Sequence, residues 1–308
     1  MVALAIGTSA AAQAVQEPPP AQEGSATIKV SVRLVNVFAT VTDKSGAPVA
    51  DLTESRFQVE EDGVPQKIAI FEKQSERPLR IILGLDASAS VHKDLKLELD
   101  SAHRFVESLM RPVDRLSLLR FTEVVDQVMP FTNDLKRIEN NIKGIRTGAG
   151  TALYDAIYLG SQLLAKQEDR KVMVLITDGG DTFSQTSYKE AVRAAQIAEA
   201  TVYSIIIVPI EASAGRNTGG EHALIQLSQD TGGKYYYASS PAELEVAFEQ
   251  ISRELRTQYL IGYYSSQKVS SSEFRRIAVN VRPRRTIDAP PPLYRVRHRA
   301  GYYTSKLE

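Results

Sequence analysis

From Pro78 onward, short and wholly apolar runs alternate with amphipathic stretches, and this alternation constrains the fold more than any other feature of the chain. LRIILGL and KVMVLIT have strand length and no polar face, as expected of strands covered on both sides. VHKDLKLELDSAHRFVESLM places Leu95, Leu99, Phe105, Val106 and Leu109 at helical spacing. LKRIENNIKGI, TALYDAIYLGSQLLAKQ, SYKEAVRAAQIAEA, GEHALIQLSQDTGG and AELEVAFEQISRELRTQ read as further helices. DRLSLLRF, TVYSIIIV and KYYYAS supply strands between them, with VVDQVMPF a hairpin partner or extension. Strand-then-helix repeated in this way predicts an α/β domain over 77–257: a doubly wound, mostly parallel, Rossmann-like sheet with helices on both faces.

Both flanks read differently. In the N-terminal segment, 28–76, IKVSVRLVNVFATVTD alternates with apolar residues at Ile28, Val30 and Val32 and, after a change of phase, Val35, Val37 and Ala39. Asp43-Lys44-Ser45-Gly46 and Glu61-Asp62-Gly63 are turn signals. After the last helix, the C-terminal segment 258–308 returns to strands in YLIGYY, FRRIAVNVRP and LYRVRHRAGYY, with Pro290-Pro291-Pro292 an extended break. Neither flank completes a sheet alone. The two are expected to form one small β-sandwich, with the α/β domain inserted between them.

Lys+Arg and Asp+Glu both count 37, so no global field draws the chain toward nucleic acid or an anionic membrane. The cluster Arg275, Arg276, Arg282, Arg284 and Arg285 reads as the solvated face of strands. Cysteine is absent, which excludes disulfides, thiolate metal sites and cysteine nucleophiles. MVALAIGTSAAAQA reads as a signal peptide over 1–14, with Ala12-Gln13-Ala14 fitting a small-residue cleavage site and a proline-rich linker over 15–27. A basic segment before the apolar stretch is missing, so a start inside a longer leader is expected. Export to the periplasm or the extracellular space follows. No other segment approaches the roughly 20 apolar residues of a membrane helix.

In open α/β sheets, function gathers beyond the carboxyl ends of the strands. Three pieces of the sequence are placed there. They are Asp86-Ala87-Ser88-Ala89-Ser90, the loop Gly148-Ala149-Gly150-Thr151, and Thr177-Asp178-Gly179-Gly180-Asp181. Singly, each has an ordinary reading: Thr151 caps its helix, and Asp178-Gly179 is a turn. Together, two carboxylates and three hydroxyls form a hard, all-oxygen donor set, suited to Mg²⁺, Mn²⁺ or Ca²⁺ rather than zinc or copper. His92, just past Ser90, reads as a solvent-facing helix start, and Asp181 as a polar turn that could also lie near the ion.

On these residues, the segment from 80 to 260 resembles a von Willebrand factor type A domain. The D-x-S-x-S run, the Thr151 loop and the TDG turn are similar to its metal-ion-dependent adhesion site. The resemblance implies that Asp86, Ser88, Ser90, Thr151 and Asp178 hold the cation, most naturally Mg²⁺. The wider arrangement, with its leader, EDG turn and C-terminal β tail, resembles the bacterial, chiefly acidobacterial, proteins related to that family. The implied function is an exported module, not an enzyme, that binds an acidic side chain of a protein partner through the ion. The resemblance also implies that the last helix, 241–256, shifts on ligation. Two alternatives stand beside it. One is a metal-dependent hydrolase, for which the chain offers no D-x-D pair, G-x-x-x-x-G-K-[ST] or G-x-S-x-G. The other is a structural domain in which metal serves only stability.

Overall fold

The computed structural model describes residues 34–73, 76–88, 95–208, 218–267, 274–282 and 294–304. The expected leader and linker, Ile28, Val30, Val32, Ser90, His92, Arg284, Arg285 and the triple proline lie outside the described residues. The first elements are β1 (Leu34–Thr42), β2 (Phe57–Glu61), β3 (Val64–Gln66), β4 (Ile68–Glu72), β5 (Leu79–Asp86), α1 (Leu95–Leu109), β6 (Arg115–Phe121) and β7 (Val125–Thr132). Then come α2 (Leu135–Lys143), α3 (Leu153–Ala165), β8 (Arg170–Thr177), α4 (Tyr188–Ile197), β9 (Thr201–Ile207), α5 (Thr218–Asp230) and β10 (Tyr235–Ala238). Last are α6 (Pro241–Thr257), β11 (Tyr259–Tyr264), β12 (Phe274–Val281), β13 (Arg295–Arg297) and β14 (Gly301–Tyr303).

The apolar runs become central strands because both of their faces are covered. A six-stranded sheet has the order β10-β9-β8-β5-β6-β7, and only β7 runs antiparallel, as the hairpin partner of β6. Side chains of a strand alternate between faces. Leu79, Ile81, Leu83 and Leu85 accordingly pack with α1, α2 and α6. Ile82 packs on the other face with α3, α4 and α5. Phe105 of α1 and Phe248 of α6 stack with ring centroids 4.3 Å apart, which joins those two helices over β5. No helix among the described residues is long and apolar enough to cross a membrane.

The flanks pair with each other. One four-stranded sheet has the order β13-β1-β11-β4 and the second β14-β12-β2-β3, so both take strands from before and after the α/β domain. Val35, Val37, Ala39 and Val41 of β1 point inward with Phe57, Val59, Tyr259, Ile261, Ile277 and Val279. The phase read from Val35, Val37 and Ala39 is therefore the buried one. Arg275 departs from the solvated reading: it is buried in β12 and pairs with Asp62 at 3.2 Å. Arg276 and Arg282 are exposed.

Where α6 runs into β11, polar side chains join the two modules. Gln258 is buried, donates to Thr40 Oγ1 of β1 at 2.7 Å and accepts from Arg170 of β8. Glu254 of α6 accepts from Tyr203 (3.3 Å) and Tyr236 (3.4 Å) of the parallel sheet and from Arg297 of β13. A buried charge is tolerable only when paired in this way. Removing the carboxylate leaves Arg297 without its counter-charge, and Glu254→Ala is expected to cost about 3–5 kcal/mol in chemical denaturation.

His298 marks a second sensitivity. Its Nε2 accepts from the Val279 N–H (3.1 Å) and its Nδ1 faces the Arg299 carbonyl (2.7 Å), which suits the neutral ring with the proton on Nδ1. Burial holds its pKa below the usual 6.5. The unfolded chain then binds the proton more readily, so this contribution is complete above pH 6.5 and is lost as the pH falls toward the folded value. The melting temperature of the wild type is expected to drop more between pH 7.5 and 5 than that of His298→Gln; equal drops would contradict the assignment.

Candidate functional site

From β5 the chain moves to β6 and β7 on one side, then returns to β8 on the other, so the switch point of the sheet lies between β5 and β8. Asp86 ends β5 and Thr177 ends β8, and the parallel register sets Leu85 opposite Ile176. Thr177 Oγ1 donates to Asp86 Oδ2 at 2.6 Å across this crevice. The Ser88 N–H donates to Asp86 Oδ1 at 2.9 Å, which curls the loop back over the strand end. Asp86 and Ser88 are both buried.

The other loops meet this one through backbone bonds. Ala87 donates to the Phe121 carbonyl (3.0 Å) and accepts from the Gly148 N–H (2.9 Å). Ala152 donates to the Thr122 carbonyl at 2.6 Å. The Thr182 and Phe183 N–H groups both donate to the Thr151 carbonyl, at 2.9 and 3.1 Å. Thr151 is buried between them. Beyond β8, the Gly180 N–H donates to Asp178 Oδ1 at 3.1 Å. Gly179 has φ +89°, a left-handed conformation that favours glycine, and a Cβ there would lie 3.2 Å from the Glu221 backbone nitrogen at the start of α5. The structure thus brings Asp86, Ser88, Thr151 and Asp178 to one group of linked loops at the switch point.

Burial pushes the Asp86 carboxyl up to about 6; hydrogen bonds from Thr177 and Ser88 oppose this, and the nearby Asp178 charge adds to it. A buried carboxylate beside a second acid is the environment that a bound cation relieves. Hydroxyl and carboxylate oxygens are the donors a hard divalent cation takes, so the residues present fit such an ion.

Thr151 is not the helix cap. The N-cap of α3 is Ala152, which has no side-chain capping bond. Asp181 does that work from the β8 loop, accepting from the Leu153 N–H (2.8 Å) and the Tyr154 N–H (3.3 Å). Glu123 Oε2 similarly accepts from the Ala149 N–H (2.8 Å) and the Gly150 N–H (3.4 Å); its own backbone N–H, and then these two, hold its carboxyl below the usual range. Sequence reasoning gave Glu123 no role and Thr177 none beyond its place in the TDG turn. Thr177 is signalled by its position directly before Asp178 at a strand end, whereas nothing local in the sequence marks Glu123.

Residues 81–250 match the family model for the von Willebrand factor type A domain. Among solved structures, the chain is similar to a von Willebrand factor type A protein from Catenulispora acidiphila, at 11% identity and a TM-score of 0.50, over 88% of this chain and 74% of that one. It is also similar to proximal thread matrix protein 1 from the mussel byssus, at 14% identity and a TM-score of 0.50, over 63% of this chain and 49% of that one. The vWF domain of the type V pili tip protein Mfa5 from Porphyromonas gingivalis is similar at 14% identity and a TM-score of 0.49, over 57% of this chain and 94% of its own. At such identities the likeness concerns the fold. No curated protein matches the chain.

Asp181 is the side-chain acceptor, among the described residues, for the first two N–H groups of α3, and Asp181→Ala is expected to cost about 0.5–2 kcal/mol. Hydrogen exchange should quicken at Leu153 and Tyr154 while β5 stays protected; unchanged exchange there would contradict the capping role.

Proposed function

The chain belongs to the von Willebrand factor type A domain family, and we propose that it is an exported binding module that holds a protein partner through a divalent cation at the switch point. The observation that carries this reading is Asp86: a buried carboxylate at a strand end, oriented by Thr177 and Ser88, beside Asp178 and the Thr151 loop. Asp86, Ser88, Ser90, Thr151 and Asp178 would hold the ion, with Mg²⁺ favoured and Mn²⁺ or Ca²⁺ acceptable to the same oxygens. Bound there, the cation supplies a Lewis-acid position for a carboxylate oxygen of the partner.

This chain's own residues set the orientation. Thr177 and the Ser88 N–H fix the two oxygens of Asp86, while Glu123 and Asp181 clamp the loop that presents Thr151. The reading is of binding rather than catalysis. The reading takes the module to be exported, where a surface or matrix protein can meet it.

Mg²⁺ in hundredfold excess over its dissociation constant is expected to stabilise the protein by about 2.7 kcal/mol. EDTA should reverse the rise in melting temperature, and Asp86→Ala should abolish it. In a pull-down from envelope extract, partner capture should require Mg²⁺ and intact Asp86. Capture that persists in EDTA would contradict the proposal.

A further inference from the structure

Of the nine phenylalanines in the chain, Phe183 is the one that is exposed, at 51%. It is not loosely placed. Its N–H donates to the Thr151 carbonyl, and its ring lies on Gly150: a Cβ at Gly150 would meet the ring at 2.1 Å. The neighbouring Asp181 and Thr182 are bonded to the α3 start and to the Thr151 N–H respectively. An aromatic ring is thus presented to solvent, beside Thr151, on a loop whose backbone is fixed at several points. A ring held in advance loses little conformational freedom when a partner covers it, which is what makes a binding anchor effective.

The turn that holds the Gly148–Thr151 loop carries a second exposed apolar side chain. Val124 is 53% exposed in the turn after β6, where the Thr122 N–H donates to its carbonyl at 2.9 Å. Gly148 lies against Thr122 and Glu123, and Gly150 lies under Phe183, so the Gly148–Thr151 loop links the turn that carries Val124 to the ring of Phe183. The carboxylates at this rim are already engaged: Glu123 with the Ala149 and Gly150 N–H groups, Asp181 with the Leu153 and Tyr154 N–H groups. Among the described residues of these two turns, Phe183 and Val124 are the exposed large apolar side chains.

Building on the cation-dependent reading above, we infer that Phe183 and Val124 form an apolar lip that selects a partner segment in which the acidic residue is flanked by large apolar side chains. The carboxylate complements the cation, and the flanking side chains cover Phe183 and Val124. Phe183 adjoins the proposed ligand position through its bond to the Thr151 carbonyl. An acidic residue set among serines or glycines meets the same ion without that burial.

The test uses two end-blocked peptides, Gly-Leu-Asp-Leu-Gly and Gly-Ser-Asp-Ser-Gly, titrated into the ¹⁵N-labelled protein in Mg²⁺ and in EDTA, with Mg²⁺ uptake measured calorimetrically on each sample. The leucine peptide is expected to bind on the order of fivefold more tightly in Mg²⁺. Phe183→Ser should reduce the preference to under about twofold and Phe183→Leu should restore most of it. If Phe183→Ser also loses Mg²⁺ uptake, Val124→Ser carries the same comparison. Equal Mg²⁺-dependent binding of both peptides, or a preference that survives both serine variants, overturns the apolar lip and leaves the cation reading standing. Binding that ignores EDTA, or the absence of binding by either peptide, overturns both.

Discussion

The hydrogen bond from Thr177 to Asp86 is the contact on which the rest of the site depends, because it spans the gap where the direction of winding changes. The gap itself is a consequence of strand order: β6 and β8 leave β5 on opposite sides, so no crossover helix covers the ends of β5 and β8 together. Parallel register then brings the last residues of the two strands level. Asp86 is buried there by the apolar sheet beneath it, and burial raises the energy of its charged form. Thr177 and the Ser88 N–H offset that cost, the Asp178 charge adds to it, and in the proposed function a cation would balance both carboxylates.

The insertion of one module into the other has an equally local explanation. β4 leads into the α/β domain and β11 leads out of it, and the two are antiparallel neighbours, with Leu260 opposite Glu72. The entry and exit of the domain are therefore held side by side by ladder hydrogen bonds. Glu254 and Gln258 extend this junction into the end of α6, tying β8 and β9 of the parallel sheet to β1 and β13 of the sandwich. The helix that packs over β5 through Phe248 is thus anchored at its far end to the flanking strands.

Much of this is legible in the sequence. Runs such as LRIILGL specify two-sided burial directly, and helical spacing over 95–109 specifies what covers them. That Asp86, Ser88 and Asp178 gather at the crevice is legible because they follow the ends of β5 and β8, which the topology sets side by side, whereas Thr151 precedes α3 and is held there by the β8 loop. Side-chain partners that depend on tertiary packing are not legible. Asp181 caps a helix that starts in a different loop, and Arg275 is buried only because β12 pairs with β2 and lies beside Asp62. Glu123 sits in a turn with no motif, and its role exists only because the Ala149 and Gly150 N–H groups arrive beside it.

The most direct measurement of the central claim is anomalous diffraction from crystals soaked in Mn²⁺, which scatters where a hard divalent cation binds. The account predicts one strong peak within coordination distance, about 2.0–2.6 Å, of oxygens from Asp86 or Ser88 and of Thr151 or Asp178, directly or through a shared water. A peak elsewhere, or none at millimolar Mn²⁺, would contradict it.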